Sequence, residues 1–147
     1  MQPARSVRGI DIAKRVFHAV GMENTGKIVF RQRLARNALL PFIATLPPVL
    51  IGMEACGGAH YGARRFRAHH HDVKRMAPQF VKPSVTSNKN DMRDAEGIGE
   101  AVTRPTMRFV PIKALDQQDV QALHRVRERL IGARTALVNE VHGWLNE

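Results

Sequence analysis

At 147 residues, 44% of them hydrophobic and 24% charged, the chain has the length of one domain and can bury a real core. No apolar run approaches a membrane span, the N-terminus lacks a signal-peptide core, and the single cysteine, Cys56, excludes an internal disulfide, so the expectation is a cytoplasmic protein. The net charge of +10 points to a polyanionic partner, nucleic acid first, and with only 5% aromatics the expected contacts are to phosphate rather than to stacked bases.

Val7 to Ile12 reads as a strand with Asp11 near its C-terminal end. Val16 to Met22 is a second strand, and Glu23-Asn24-Thr25-Gly26 is a turn signal. Lys27 to Leu34 alternates with period two, Ile28, Phe30, Gln32 and Leu34 against Val29, Arg31 and Arg33, which predicts a half-exposed strand closing an antiparallel meander. A short helix capped by Asn37 follows to Thr45 despite Pro41, and Pro47-Pro48 stops it. Val49 to Met53 is a continuous apolar run, the mark of a strand buried on both faces, and it delivers Glu54 at its end. Cys56-Gly57-Gly58 turns into a helix from about Ala59 to His69 with Tyr61 and Phe66 as core contacts. Asp72 to Met76 is a fifth strand, and Pro78 to Ser87 reads as a loop carrying Lys82.

Asn88 to Glu96 opens a helix expected to run from about Asp91 to Thr103, with Met92, Ala95, Ile98 and Val102 as its apolar stripe. Gly97 and Gly99 each weaken it by about 1 kcal/mol relative to Ala unless another backbone packs there. Met107 to Ile112 is extended. From Leu115 to the end Leu123, Val126, Leu130, Ala133, Leu137, Val141 and Trp144 repeat at gaps of three and four, a coiled-coil-like stripe flanked by His124, Arg125, Arg127, Arg129 and Arg134. Asn146-Glu147 offers this helix no clear stop, so it is expected either to dimerise or to belong to a longer protein.

Asp91 and Asp94 lie one turn apart on one helix face. They read either as acids that suit a helix N-terminus or as half of a larger cluster. If the strands carrying Asp11 and Glu54 are adjacent and parallel, those two carboxylates leave one sheet edge, where the helix can bring Asp91 and Asp94. Four such acids need neutralising, and hard oxygen ligands suit Mg²⁺ or Mn²⁺ in two-metal phosphoryl transfer. Other groups carry less: His69-His70-His71 reads as a solvated helix end, Cys56 near His60 as a small buried thiol, and the glycine pairs match no phosphate-cradling loop.

Gly9-Ile10-Asp11-Ile12-Ala13-Lys14, Gly52-Met53-Glu54-Ala55-Cys56-Gly57, Asn88-Lys89-Asn90-Asp91-x-x-Asp94-Ala95, the run from Ala101 to Pro111 and the helix around Leu123-His124-Arg125 stand in one order. Together they resemble the N-terminal half of a DEDD transposase of the IS110-type insertion-sequence family, whose catalytic domain is similar to the resolvase RuvC. The resemblance covers nearly the whole chain. It implies an α/β, RNase H-like (RuvC-like) mixed sheet with flanking helices over residues 1–112, followed over 113–147 by the start of a long coiled-coil-like helix. It implies a Mg²⁺ (or Mn²⁺) site matching Asp11, Glu54, Asp91 and Asp94, and DNA recombination guided by a structured RNA. It also implies a further C-terminal domain that supplies a serine nucleophile, which this chain does not contain, so this chain is expected to be inactive alone. Lys14, Lys82, Lys89, Arg93 and Arg125 are the residues expected to touch nucleic acid, and a homo-oligomer is expected through the last helix, with no membrane partner. The alternatives are a stand-alone resolvase-like nuclease using water in place of the serine, and a non-catalytic nucleic-acid-binding or oligomerising module. An actin-like ATPase would need a second such domain and a glycine-rich phosphate loop.

Overall fold

The computed structural model describes residues 7–12, 15–23, 25–82 and 91–146, the side chains of residues 7, 12 and 91 excepted. β1 (Val7–Ile12), β2 (Val16–Met22) and β3 (Ile28–Ala35) form the expected antiparallel meander. β4 (Leu50–Glu54) and β5 (Asp72–Met76) extend the sheet in parallel on the other side of β1, and β6 (Phe109–Val110) adds a two-residue antiparallel edge. The order is β3-β2-β1-β4-β5-β6, the mixed sheet with flanking helices that the resemblance implied. Placing β4 beside β1 puts the two strands that end in acids at the centre of the sheet.

Each face of the sheet has its own helices. Ile10, Phe17, Ala19, Ile51, Met53 and Val73 point to the side covered by α1 (Arg36–Ala44) and α2 (Ala59–Ala68), where Leu39, Ile43, Ala63 and Phe66 meet them. On the opposite side Met76 packs with Val81 of α3 (Pro78–Val81) and with Ile98, Ala101 and Val102 of α4 (Asp91–Ala101), while Val20 and Met22 pack with Ala95. The period-two alternation of strand side chains therefore sorts the chain into a larger apolar core and a second layer built on α4.

Several local expectations change. α1 starts at Arg36 with Ala35 at its N-cap position and no side-chain cap, so Asn37 lies inside the helix. Pro41 lies in the second turn of this nine-residue helix, where it removes the i→i−4 hydrogen bond that would reach the Asn37 carbonyl. Part of the expected loop after Pro78 is the short helix α3, started by proline at a first-turn position where its missing N–H costs nothing. Tyr61 is exposed, because only Ala59, His60, Ala63 and Phe66 of α2 face the sheet. His71 is buried instead of solvated: its Nδ1 accepts the Val49 N–H at 3.3 Å and its Nε2 donates to the Ile43 carbonyl at 3.1 Å, tying the end of α1 to the start of β4. Burial lowers its pKa below the ordinary value, against the raising effect of the Ile43 bond.

Residues Lys113–Glu147 form a second unit, made of α5 (Leu115–Leu145). Gln117 Oε1 accepts the Ala114 N–H at 3.0 Å at its start. No residue of this 31-residue helix is buried, and Leu123, Val126, Leu130, Leu137 and Trp144 are all more than half exposed.

Candidate functional site

β1 and β4 run parallel with Gly9 opposite Gly52 and Ile10 opposite Met53, so the next step along both strands sets Asp11 beside Glu54. Ile10 and Met53 point into the core under α2, so alternation turns Asp11 and Glu54 to the α4 face. Both are half-buried. On the far side of Glu54 its register partner Met76 lies under α4.

The path of α4 over this face depends on two glycines. A Cβ added to Gly9 would meet the Ala95 carbonyl and would lie 2.6 Å from the Gly99 nitrogen, so helix and strand backbones touch directly there. A Cβ on Gly52 would sit 2.8 Å from Val102 Cβ, which extends the close approach to β4. Such contact is the reason a helix can carry glycine at position 99 despite its cost. Ala95, Ile98 and Val102 face the sheet, and Gly99 faces Met22, at the end of β2 that pairs with the start of β1. At 3.6 residues per turn Asp94 then lies on the opposite flank of the helix, toward the ends of β1 and β4 that carry Asp11 and Glu54. Asp94 is half-buried, and Asp91 opens the helix one turn earlier.

Of the residues read from the sequence, Asp11, Glu54 and Asp94 are thus brought to one face and one end of the sheet. Asp91 joins them by its place in the helix, its side chain lying outside the described residues. Among the described residues no group of three or more His, Cys, Asp or Glu is drawn together tightly enough to hold a metal ion. Lys14 and Lys89 lie outside the described residues. Lys82, at the end of α3, and Arg93, on α4, are exposed, and Arg125 is exposed on α5 in the separate second unit.

The same transverse row contains two residues that sequence reasoning missed. His18 is the direct cross-strand partner of Asp11, and Arg33 is the partner of His18. Direct partners project from the same face with Cβ atoms roughly 5 Å apart. Arg33 is exposed on the edge strand, two strands from Asp11. His18 is 8% exposed and its Nδ1 is buried without a hydrogen-bond partner. An orphaned polar atom of that kind costs about 1–3 kcal/mol. The signal was the meander itself: once Asp11 is a candidate, the facing position on β2 is one too. A further ion pair, Arg31 with Glu96, ties β3 to α4 on this face.

The opposite face holds other polar groups. Arg75, 3% exposed, donates from Nη1 to His60 Nδ1 at 2.9 Å and to the Pro111 carbonyl at 3.0 Å, which joins α2 to the chain leaving β6. Burial lowers the Arg75 pKa, with Cys56 acting in the opposite direction. Cys56 is half-buried, on the wall of a cavity of about 530 Å³ between α1 and α2 that Phe17, Leu39, Tyr61 and Phe66 also line. This cavity is separated from the acidic row by the sheet.

The arrangement is that of an α/β protein with two acids, Asp11 and Glu54, at the carboxyl ends of adjacent parallel strands, the edge where open α/β sheets commonly bind ligands. Residues 8–147 match the family model of the IS110-type DEDD proteins, described as transposase. The chain is 52% identical over 139 residues to a probable family 20 transposase of Pseudomonas aeruginosa, an alignment covering 95% of this chain and 41% of that protein. It is 46% identical to the transposase for insertion sequence element IS1328 of Yersinia enterocolitica, over 99% of this chain and 43% of that one. The transposase for IS1111A of Coxiella burnetii is 45% identical, over 96% and 39%. The chain therefore belongs to the IS110-type DEDD transposase family, and it spans about two fifths of the length of these relatives. Among solved structures, T. thermophilus RuvC in complex with a Holliday junction substrate is 9% identical with a TM-score of 0.47, covering 72% of this chain and 99% of that one.

Proposed function

We propose that residues 1–112 are the metal-binding domain of a transposase that recombines DNA, and that residues 113–147 begin a helical linker toward a part of the protein outside this chain. The observation that carries this reading is the row on the α4 face: Asp11 beside Glu54 at the ends of adjacent parallel strands, with Asp94 on the flank of α4 nearest them. Three carboxylates so placed, with Asp91 one turn away, suit the all-oxygen coordination of Mg²⁺ or Mn²⁺. Bound there, the ion would polarise a phosphate and stabilise charge developing on its oxygens. Asp11, Glu54, Asp91 and Asp94 would hold it, with Gly9 and Gly99 fixing the distance of Asp94 from the strands. Arg33, Arg93, Lys14, Lys82 and Lys89 would contact the DNA backbone around it, consistent with a net charge of +10.

Strand exchange by the complete protein would draw on the serine-bearing domain that the family resemblance implies. A structured guide RNA is the second nucleic-acid partner in this reading, and a cytoplasmic location suits both. No helix among the described residues is long and apolar enough to cross a membrane. The exposed apolar stripe on α5 supports a homo-oligomer formed through that helix. The test is recombination by the complete protein: Asp11→Ala should abolish it, and undiminished strand exchange by that variant would overturn the assignment.

A second reading has its own support. α5 exposes Arg125, Arg127, Arg129 and Arg134, and the acids are not drawn into a closed ligand set among the described residues. In that reading the chain is a nucleic-acid-binding module without chemistry. Tight RNA binding retained after all four acids are neutralised would favour it.

A further inference from the structure

We propose that His18 is a positioning residue for Asp11, holding the carboxylate through a hydrogen bond from its imidazole Nδ1–H when the carboxylate turns to bind a metal ion. This rests on the reading of Asp11 as a metal ligand. Two independent observations carry it. His18 is the direct cross-strand partner of Asp11 and shares its face of the sheet. Its ring is more than nine-tenths buried, yet Nδ1 has no hydrogen-bond partner.

A core histidine normally finds a hydrogen-bond partner for its buried nitrogens, as His71 does with the Val49 N–H and the Ile43 carbonyl and His60 does with Arg75. The residues flanking His18 along β2, Phe17 and Ala19, belong to the opposite core, and apolar Val20 on its own face packs against Ala95. The polar neighbours that the register gives it are Asp11 on one side and Arg33 on the other. Arg33 can only donate, so of these two partners the Asp11 carboxylate is the one able to accept an Nδ1–H. A metal-binding carboxylate uses one oxygen for the ion, and a hydrogen bond to the other fixes its rotamer and spacing. Outer-shell bonds of this kind alter metal affinity by about 10- to 100-fold when removed.

The test is Mn²⁺ binding to the 147-residue chain followed by electron paramagnetic resonance, with circular dichroism to confirm the fold of each variant. Asn places an N–H donor close to where Nδ1 stands, and Leu removes it. The expected result is that His18→Leu weakens Mn²⁺ binding about tenfold or more while His18→Asn stays within about threefold of the parent. Equal affinity of a folded His18→Leu variant, or equal losses in both variants, would overturn the positioning role. Nitrogen modulation in the electron spin echo of bound Mn²⁺, lost in His18→Leu, would overturn it in favour of direct ligation. If the parent chain binds no Mn²⁺ while an Asp11→Asn variant behaves identically, the metal-site reading fails, and the role of His18 fails with it.

Discussion

At the scale of single residues, the fold is decided by which side of a strand a side chain leaves. Asp11, Glu54, His18 and Arg33 share a face only because Gly9 pairs with Gly52 and Asp11 with His18. A slip of one residue in either pairing would send half of them into the core. Asp11 and Glu54 were legible in the sequence because each closes an apolar run at the place where a strand must end. His18 and Arg33 were not, because their neighbourhood exists only across strands and nothing in the order of residues marks it. His71 was misread for a related reason: three consecutive histidines look like a solvated helix end, yet the third turns inward to bond Val49 and Ile43. Its consequence can be measured. The folded chain holds His71 neutral, with its pKa lowered from 6.5, whereas the unfolded chain protonates it at the ordinary value. Between the lowered pKa and 6.5 the unfolded state binds more protons, so this contribution is complete above about pH 6.5 and is lost as pH falls through that window. Urea denaturation at pH 7.5 and 5.5 should show the loss in the parent. His71→Leu should be less stable by about 1–3 kcal/mol at the higher pH and lose less on acidification.

At the scale of elements, α4 is the part that brings Asp94 toward the strand ends and so completes the candidate site. Its apolar stripe of Met92, Ala95, Ile98 and Val102 was readable from spacing alone, but its seat on β1 was not. Gly99 looked like a weakness in the helix until Gly9 was found against it. The reason is physical: periodicity reports which face of a helix is buried, whereas the distance between backbones is set by a pair of residues 90 positions apart. Adding a methyl group at Gly9 forces the helix outward, because the atoms it meets are backbone and cannot rotate away. Gly9→Ala should therefore cost about 1–3 kcal/mol or more in denaturant melts. It should also weaken Mn²⁺ binding, since Asp94 rides on the displaced helix. Gly57→Ala, where an added Cβ meets nothing within 4 Å, is the matched control and should alter neither. Binding retained in Gly9→Ala at full affinity would show that α4 does not set the ligand spacing.

At the scale of the whole molecule, charge and the exposed helix govern what the chain associates with. Nucleic-acid affinity that rests on phosphate contacts falls steeply with salt. With four such contacts, binding to a DNA duplex should weaken by roughly a hundredfold between 50 and 200 mM salt. A salt-independent affinity in a mobility-shift titration would contradict a phosphate-dominated interface. The apolar stripe of α5 leaves Leu130 and Leu137 more than half exposed, at spacings that suit a coiled coil. Sedimentation should report an oligomer for the parent chain and a monomer for the Leu130→Lys, Leu137→Lys double variant. The central claim is that Asp11, Glu54, Asp91 and Asp94 surround one cation-binding point, although they come from three separate stretches of the chain. Iron-mediated cleavage tests it most directly: Fe²⁺ in place of Mg²⁺, with ascorbate and peroxide, cuts the backbone close to where it binds. The account predicts cuts clustered near residues 11, 54 and 91–94, all suppressed by excess Mg²⁺ and by Asp11→Asn. Cuts at the histidine run around residue 70 alone, or a pattern unchanged by Asp11→Asn, would contradict it.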